Sequence, residues 1–202
     1  MAIDQMTMDV LKEIGNIGTG NAASALSTML DSKVDIGLPR CDLIPFSEIT
    51  RGYDSPEELV AGVLVQLSGD MDGFIMLVLK LESAFELTGL LMGQDVHCDI
   101  EDYSAVMEAL KPVEEIGNIL IGAYLSAIGT MTNMCIVPSV PSLSVDMVMA
   151  MMNVPAVVYG EMGDTVLDME TDFFNDKSSV SGRYILLPTE ESFDRMMKAL
   201  GL

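Results

Sequence analysis

An internal repeat constrains the fold of this chain more than any other feature of its sequence. Residues 13–31 align without a gap with residues 115–133, at an offset of 102 positions, and ten of the nineteen aligned positions are identical. The same offset places Pro39 on Pro141, so the two copies stay in register beyond the aligned segment. A duplication of this extent predicts two copies of one structural unit that fold together.

The two halves of the chain also share a series of predicted elements after the repeated segment. In each half, short apolar runs between glycine-containing turns predict strands, and a helix-like segment follows them. The predicted strands are residues 60–67 and 75–81 in the first half and residues 156–159, 165–171 and 182–187 in the second. The predicted closing helices are residues 83–93 and 192–201.

These patterns predict an α+β fold, built as a single pseudo-two-fold domain that spans residues 1–202. A lone repeat would leave one edge and one face of its sheet uncovered. The two α-β repeats are therefore expected to share one largely antiparallel sheet flanked by helices. The first repeat would cover residues 1–93 and the second residues 103–202, and the acidic segment 93–102 would connect them.

Charge and composition exclude several classes of partner. Lys and Arg number 10 against 31 Asp and Glu, which gives a formal charge of −21. Phosphate backbones and anionic lipid surfaces would repel such a chain, so we expect no nucleic acid and no membrane as partners. The N-terminus does not resemble a signal peptide, and the longest apolar stretch, residues 147–158, is shorter than the roughly 20 residues of a membrane span. These features predict a cytoplasmic protein.

The sequence offers little that suggests a metal site. Cys41, Cys98 and Cys135 are odd in number and form no C-x-x-C pair, and His97 beside Cys98 lacks companion ligands nearby. Residues 70–73 resemble the opening of a calcium loop, but their glycine comes at the fourth position and a turn between strands is the better interpretation. No metal site is predicted.

The first repeated helix has a polar side that carries a carboxylate and a carboxamide together. At about 100° per residue, Glu13 and Asn16 lie away from the apolar stripe and form an i, i+3 pair, and Asp9 and Gly20 share their side. The predicted inward stripe consists of Leu11, Ile14, Gly15, Gly18, Ala22, Ala25 and Met29.

Exposed Glu and Asn residues are usually ordinary solvated side chains. Here the pair occurs twice, as Glu13 and Asn16 and again as Glu115 and Asn118, although the inward Gly18 is replaced in the second copy. Packing does not hold exposed positions, and Asn is a mediocre residue inside a helix. The repeated pairs are therefore interpreted as functional.

The motif Glu-x-x-Asn, followed after twenty-two residues by Pro, resembles the signature of the CheC, CheX and FliY family of chemotaxis phosphatases, and the resemblance extends over essentially the whole chain. Asp9 occupies the family's Asp or Ser position. The matching residues are Glu13, Asn16 and Pro39 in the first copy and Glu115, Asn118 and Pro141 in the second.

The second copy departs from this signature at its start. Lys111 stands where the family has Asp or Ser, and Pro112 follows directly. This proline either lies in the first turn of the helix or kinks a longer helix that begins near Ser104. The catalytic pair itself is intact, and two complete motifs resemble the CheC branch of the family.

The resemblance implies hydrolysis of the aspartyl phosphate on a CheY-type response regulator. In this family, Asn16 and Asn118 would position the attacking water, and Glu13 and Glu115 would dock the regulator. The Mg²⁺ ion would belong to the regulator, and this chain would need no cofactor of its own.

The resemblance also implies a second partner, CheD, bound through a helix after the second proline. Residues 141–152 represent that segment, and Asp146 matches the contact position. The Met residues of the segment could form buried core or a binding face.

Two alternatives to the phosphatase remain at this point. One is a non-catalytic scaffold that binds phosphorylated CheY or the flagellar switch. The other is an unrelated Met-rich peptide-binding protein, suggested by eighteen Met residues but disfavoured by the absence of a repeated Met pattern.

Overall fold

The structure is a computed structural model that describes residues 5–31, 33, 35–37, 39–159, 165–174 and 179–202. These ranges contain six α-helices: α1 (Gln5–Leu30), α2 (Leu81–Met92), α3 (Tyr103–Ala109), α4 (Lys111–Thr132), α5 (Val148–Tyr159) and α6 (Glu190–Ala199). The same ranges contain eight strands: β1 (Asp35–Ile36), β2 (Arg40–Pro45), β3 (Leu59–Gly69), β4 (Gly73–Lys80), β5 (Ile136–Pro138), β6 (Ser142–Met147), β7 (Thr165–Phe174) and β8 (Ser179–Pro188).

All eight strands belong to one antiparallel sheet, in which the two halves of the chain exchange strands. The order is β1-β7-β8-β4-β3-β5, while β2 also pairs with β7 and β6 with β3. The first strands of each half thus pair with the other half. The predicted α+β fold with one largely antiparallel sheet is confirmed, whereas the boundaries of the domain and its repeats stay a prediction.

The strand register is symmetric under exchange of the two halves. At the centre of the sheet, Met76 of β4 lies opposite Ile185 of β8, and both side chains are fully buried. Farther out, Arg40 of β2 lies opposite Glu170 of β7. Ser142 of β6, which follows Arg40 by 102 positions, lies opposite Leu64 of β3 in the other half of the sheet. Pairing between the halves therefore covers the edges that a single repeat would expose.

The repeated helices α1 and α4 end at equivalent positions. Asp31 follows α1 with a φ of 47°, and Asn133, its counterpart, follows α4 with a φ of 54°. Asp and Asn tolerate this left-handed conformation better than most residues other than glycine. Both helices can therefore end with a left-handed residue that turns the chain toward the sheet.

The two faces of the sheet are covered differently. Helices α1 and α4 pack on one face, where side chains such as Ile14, Ile75 and Ile116 form the larger core. On the opposite face, α5 contributes Met151 and Met152 to a smaller core. The Glu/Asn helices and α5 therefore lie on opposite sides of one sheet.

Two expectations about the second half are wrong. Residues 156–159 belong to α5 and not to a strand, because a short apolar run fits a buried helix as well as a strand. Residues 142–147, expected within a helix after Pro141, form β6 along β3, and the helix begins only at Val148. The predicted elements do not include the edge strands β1, β2, β5 and β6, although β6, with the sequence SLSVDM, alternates polar and apolar residues as a strand does.

Three further expectations have clear outcomes. Pro112 lies in the first turn of α4, and Leu110 separates this helix from the short α3, so the helix is not a longer kinked one. Met29 belongs to the predicted buried stripe of α1 but is 46% exposed, so the buried stripe does not continue to the end of the helix. The turn predicted at residues 70–73 does join β3 to β4.

Candidate functional site

Helix α1 places the first Glu/Asn pair on its solvent-facing side. Leu11 and Ile14 are fully buried in the larger core, so the opposite side of the helix faces solvent. Glu13 and Asn16 lie on that side and are exposed. One turn before Glu13, Asp9 continues the same exposed surface. The outward placement predicted from the helical period is confirmed for all three polar residues.

Gly15 lies between the two motif residues and packs closely against Pro39. A Cβ atom built on Gly15 would lie 2.8 Å from Cγ of Pro39 and 2.9 Å from Sγ of Cys41. Nonbonded carbon atoms prefer separations of about 3.5–4.0 Å, so a larger residue would push the segment around Pro39 away from the helix. Pro39 is itself buried. It therefore supports α1 at the turn that carries the Glu/Asn pair.

Helix α4 presents the second pair in a similar way. Ile116 is buried on its inward side, while Glu115 and Asn118 are exposed. A Cβ atom on Gly117 would lie 2.8 Å from side-chain carbons of Val63, so this glycine lets α4 approach strand β3. The same sequence position thus permits close packing in both copies, against different neighbours.

The second motif proline has a different environment from the first. Pro141 is only half-buried, and it lines a cleft of about 310 Å³ together with Lys111 at the start of α4. Close by, the backbone N–H of Leu143 donates a hydrogen bond to Oε1 of Glu114 at 3.3 Å. The entry to the second site therefore differs from the first, as the sequence departure at Lys111 suggests.

The surface around both pairs is open. A Cβ atom built on Gly20 or Gly122, four residues after each motif asparagine, would have no other atom within 4 Å. Among the residues that the structure describes, no hydrogen bond or ion pair engages the side chains of either Glu/Asn pair. Unengaged polar groups on an exposed helix suit recognition of another protein's surface more than an enclosed small molecule.

The two site helices pack directly against each other. A Cβ atom on Gly18 of α1 would lie 2.5 Å from the ring of Tyr124 on α4, so only glycine permits this approach. Beside it, the hydroxyls of Thr19 and Tyr124 are hydrogen-bonded at 2.8 Å in the core. Burial raises the pKa of Tyr124 from 10.0 to about 12, so its hydroxyl keeps its proton further into the alkaline range than an exposed tyrosine does. This contact fixes the two Glu/Asn helices relative to each other.

The described residues contain no group of three or more His, Cys, Asp or Glu side chains that could hold a metal ion. The buried Cys41 behind the first site is a poor ligand and nucleophile, since burial raises the pKa of its thiol to about 11. Within the same part of the chain, no helix is both long and apolar enough to cross a membrane.

Sequence similarity now identifies the family. The profile of the CheC-like family matches residues 6–40, which include the first Glu/Asn pair and Pro39. The chain is also 30% identical to CheY-P phosphatase CheC of Bacillus subtilis (strain 168), over 98% of this chain and 96% of that protein. This chain belongs to the CheC-like family. This CheC-like protein combines the repeated motif with one antiparallel sheet and two exposed Glu/Asn pairs.

Solved structures share the fold of this CheC-like chain. FliY of Thermotoga maritima superimposes with a TM-score of 0.76 at 18% identity, over 100% of this chain and 98% of that one. CheX of Borrelia burgdorferi, solved as a complex with CheY, BeF3 and Mg²⁺, gives a TM-score of 0.52 at 16% identity, over 86% of this chain and 97% of that one. At these identities the likeness concerns the fold alone.

The structure brings the two Glu/Asn pairs onto neighbouring helices but leaves Asp146 elsewhere. Asp146 lies exposed on β6, opposite Val60, and its Oδ1 accepts a hydrogen bond from the backbone N–H of Met147 at 2.8 Å. Sequence reasoning missed the packing roles of Gly15 and Gly117. Their identity in both copies was the signal that could have revealed them.

Proposed function

We propose that this chain hydrolyses the aspartyl phosphate of a CheY-type response regulator. The observation that carries this proposal is the exposed, unengaged Glu/Asn pair, present on α1 and again on α4. The Bacillus subtilis relative, which matches over nearly its whole length, is named a CheY-P phosphatase. A CheX of the same fold was solved with CheY. Both relationships support a CheY-type partner.

The chemistry of a carboxamide suits the role proposed for Asn16 and Asn118. Hydrolysis of an acyl phosphate needs a water molecule held in line with the bond that breaks. A carboxamide can both donate to and accept from that water, and it adds no negative charge beside the anionic phosphoryl group. Acyl phosphates are reactive, so positioning the water suffices without a general base from this chain.

The role proposed for Glu13 and Glu115 is docking. The phosphoryl group would repel a carboxylate, but a carboxylate can form a charge-assisted hydrogen bond with a Lys of the regulator. In each pair the glutamate lies one turn from the asparagine, so a regulator held by the first would present its phosphate to the second. In this proposal the Mg²⁺ ion belongs to the regulator, which is the substrate.

Release of phosphate from a phosphorylated regulator tests this proposal. Asn16→Ala and Asn118→Ala should each lower turnover in part, because each removes one of two separate sites. The double variant should lose about 10²-fold or more, the effect expected when positioning of the attacking water is lost. Asn21→Ala is the matched control, since Asn21 is exposed on α1 and the second copy carries Ala123 at that position.

Two results would contradict the proposal. Turnover near the wild-type level in a folded double variant would show that the asparagines do not act on the water. Tight binding of the phosphorylated regulator without any phosphate release from the wild-type chain would favour the non-catalytic scaffold.

We further propose that CheD binds at the edge of the sheet that carries Asp146. This residue is exposed on β6, and Met147 and Met149 beside it are each 42% exposed, so a fixed charge lies next to accessible apolar surface. Because Asp146 lies outside the two Glu/Asn pairs, CheD would not have to cover them.

Capture of CheD by variants tests this second partner. Asp146→Lys should abolish capture in a pull-down while phosphate release stays at the wild-type rate. Asp194→Lys, an exposed change of the same charge on α6, is the control. Undiminished capture by Asp146→Lys would place the CheD site elsewhere.

A further inference from the structure

The two halves of the chain cover the sheet face opposite the Glu/Asn helices unequally. In the second half, the twelve-residue helix α5 follows β6 and packs on β3. In the first half, only a three-residue 3-10 helix, Phe46–Glu48, follows β2. A cleft of about 300 Å³ remains where a counterpart of α5 would lie.

Equivalent positions of the sheet show what replaces the missing helix. Ser144 pairs with Gly62 in the second half, where a Cβ atom on Gly62 would lie 2.8 Å from Sδ of Met151, so α5 fills that space. The corresponding pair in the first half is Asp42 and Asp168. The cleft is therefore lined by charged side chains where the second half is closed by a methionine.

Arg183 and Asp168 form the floor of this cleft. The guanidinium donates from Nε and Nη2 to the two carboxylate oxygens at 2.9 and 2.8 Å, and both side chains are less than one-fifth exposed, at 12% and 18%. Nη1 of Arg183 donates to the backbone carbonyls of Ile49 and Arg51, which ties the loop after the 3-10 helix to the sheet. This ion pair makes the floor rigid and neutralises the charge of Asp168.

Two arginines at the rim have weak partners. Arg40 is 79% exposed and its contact with Glu170 measures 3.7 Å, while Arg51 is 76% exposed and its contact with Glu48 measures 3.9 Å. Exposed ion pairs of this kind contribute little, so both guanidinium groups are available to a stronger acceptor. Lys80 adds a third cation, held at 2.9 Å by Glu58.

The distribution of charge makes this concentration of cations unusual. Four of the ten Lys and Arg residues of the chain line one cleft together with three carboxylates, although the whole chain has a formal charge of −21. Three further carboxylates, Glu48, Asp54 and Glu58, contact Arg51 or Lys80 from outside the lining. A planar guanidinium can bind a carboxylate or a phosphate through two parallel hydrogen bonds. A cavity near 300 Å³ also lies within the size range of small-molecule sites.

We propose that this cleft binds a small molecule with an oxyanion group, either a carboxylate or a phosphate. Arg40 and Arg51 bind the oxyanion from the rim, and the rigid Arg183–Asp168 pair forms the floor beneath it. The site lies on the sheet face opposite α1 and α4, so it is separate from the proposed phosphatase sites and does not depend on them.

Isothermal titration calorimetry on the full chain tests the site, with inorganic pyrophosphate and succinate as separate probes. At least one probe should bind saturably. The double variant Arg40→Gln/Arg51→Gln should weaken that binding by at least about tenfold, because charge-assisted hydrogen bonds are lost. Lys33→Gln/Lys198→Gln removes the same charge from exposed positions outside the cleft and should leave the affinity within about twofold.

The outcomes separate the sources of the oxyanion and the possible failures. Binding of pyrophosphate alone identifies a phosphate ligand, and binding of succinate alone identifies a carboxylate ligand. No saturable binding of either probe overturns the proposal, as does equal weakening by both double variants. Loss of probe binding in Asn16→Ala/Asn118→Ala would also overturn it, because the anion would then lie at the phosphatase sites.

Discussion

At the scale of single residues, each functional pair depends on the small residues around it. Gly15 and Gly117 allow close packing on the inward side, and Gly20 and Gly122 leave the outward side open. A helix would gain stability from alanine at these positions, so their glycines reflect space and not helix propensity. The exposed asparagine of each pair is accessible because its neighbours are small.

The first prediction concerns Glu13 and Glu115, which should act through docking. Glu13→Gln/Glu115→Gln should weaken binding of the phosphorylated regulator by more than about fivefold, because a charge-assisted hydrogen bond is lost in each site. Since both side chains are exposed, the free energy of unfolding should change by no more than about 0.5 kcal/mol. Regulator titration and urea denaturation measure the two effects.

Glu86→Gln, an exposed change on α2, is the control for charge. A large fall in stability for the Glu13 and Glu115 variant, with regulator affinity unchanged, would make these residues structural.

The second prediction compares two glycines of α1. Gly15→Ala should destabilise the fold by about 1–3 kcal/mol, because the new methyl group meets Pro39 and Cys41. Gly20→Ala should stabilise it by up to about 1 kcal/mol, because open space surrounds that position and alanine favours the helix. Both substitutions change helix propensity equally, so their difference in urea midpoint reports the contact with Pro39. Equal midpoints would contradict the supporting role of Pro39.

At the scale of secondary-structure elements, α1 and α4 form one unit that carries both sites. Gly18 leaves space for the ring of Tyr124, and the hydrogen bond between the hydroxyls of Thr19 and Tyr124 joins the helices inside the core. The ring centroid of Tyr124 lies 4.5 Å from that of Tyr184 on β8. This aromatic contact packs the helix pair against the sheet. The unequal second copy, with Leu120 in place of Gly18, makes this joint asymmetric.

The third prediction tests this joint. Tyr124→Phe should destabilise the fold by about 1–3 kcal/mol, because it leaves the buried hydroxyl of Thr19 without this partner. Tyr184→Phe is the matched control: its buried hydroxyl has no hydrogen-bond partner among the described residues, so its loss should be neutral or stabilising. Thermal unfolding measures the stability of both variants. An equal loss of stability in the two would show that the hydrogen bond between Thr19 and Tyr124 contributes nothing.

At the scale of the whole molecule, ionisable groups in the core determine how stability responds to alkaline pH. Burial raises the pKa of Cys41 from 9.0 to about 11 and that of Tyr124 from 10.0 to about 12, and it raises the pKa of Tyr184 well above 10.0. In each case the folded chain keeps a proton that the unfolded chain has lost. Their stabilising contribution is complete below the unfolded pKa and disappears as the pH rises through the folded pKa.

The fourth prediction follows for Cys41. The free energy of unfolding should fall between pH 9 and pH 11 at constant ionic strength, because the unfolded thiol ionises first. In Cys41→Ala the fall should be shallower over the same window, whatever the loss from the smaller side chain at pH 7. Urea denaturation at intervals of half a pH unit measures both slopes. Identical slopes would show that Cys41 does not titrate differently in the two states.

Strand exchange is the other property of the whole molecule. Because β1 and β2 pair with β7 while β5 and β6 pair with β3, each half completes the sheet of the other. The repeat in the sequence predicted a shared sheet, but it did not predict this exchange. Strands as short as β1, with two residues, carry no periodic signal of their own and form because a partner strand is present.

The sequence by itself determined the duplication, the outward placement of both Glu/Asn pairs and the family, because helical periodicity and repeated residues are local and countable. Only the tertiary structure decided that residues 156–159 are helical, that Asp146 lies on an edge strand and that Gly15 packs against Pro39. The charged cleft belongs to the same group, since its cations come from β2, β4, β8 and a loop. Such contacts join residues far apart in the chain, and the free energy of packing, not local propensity, selects them.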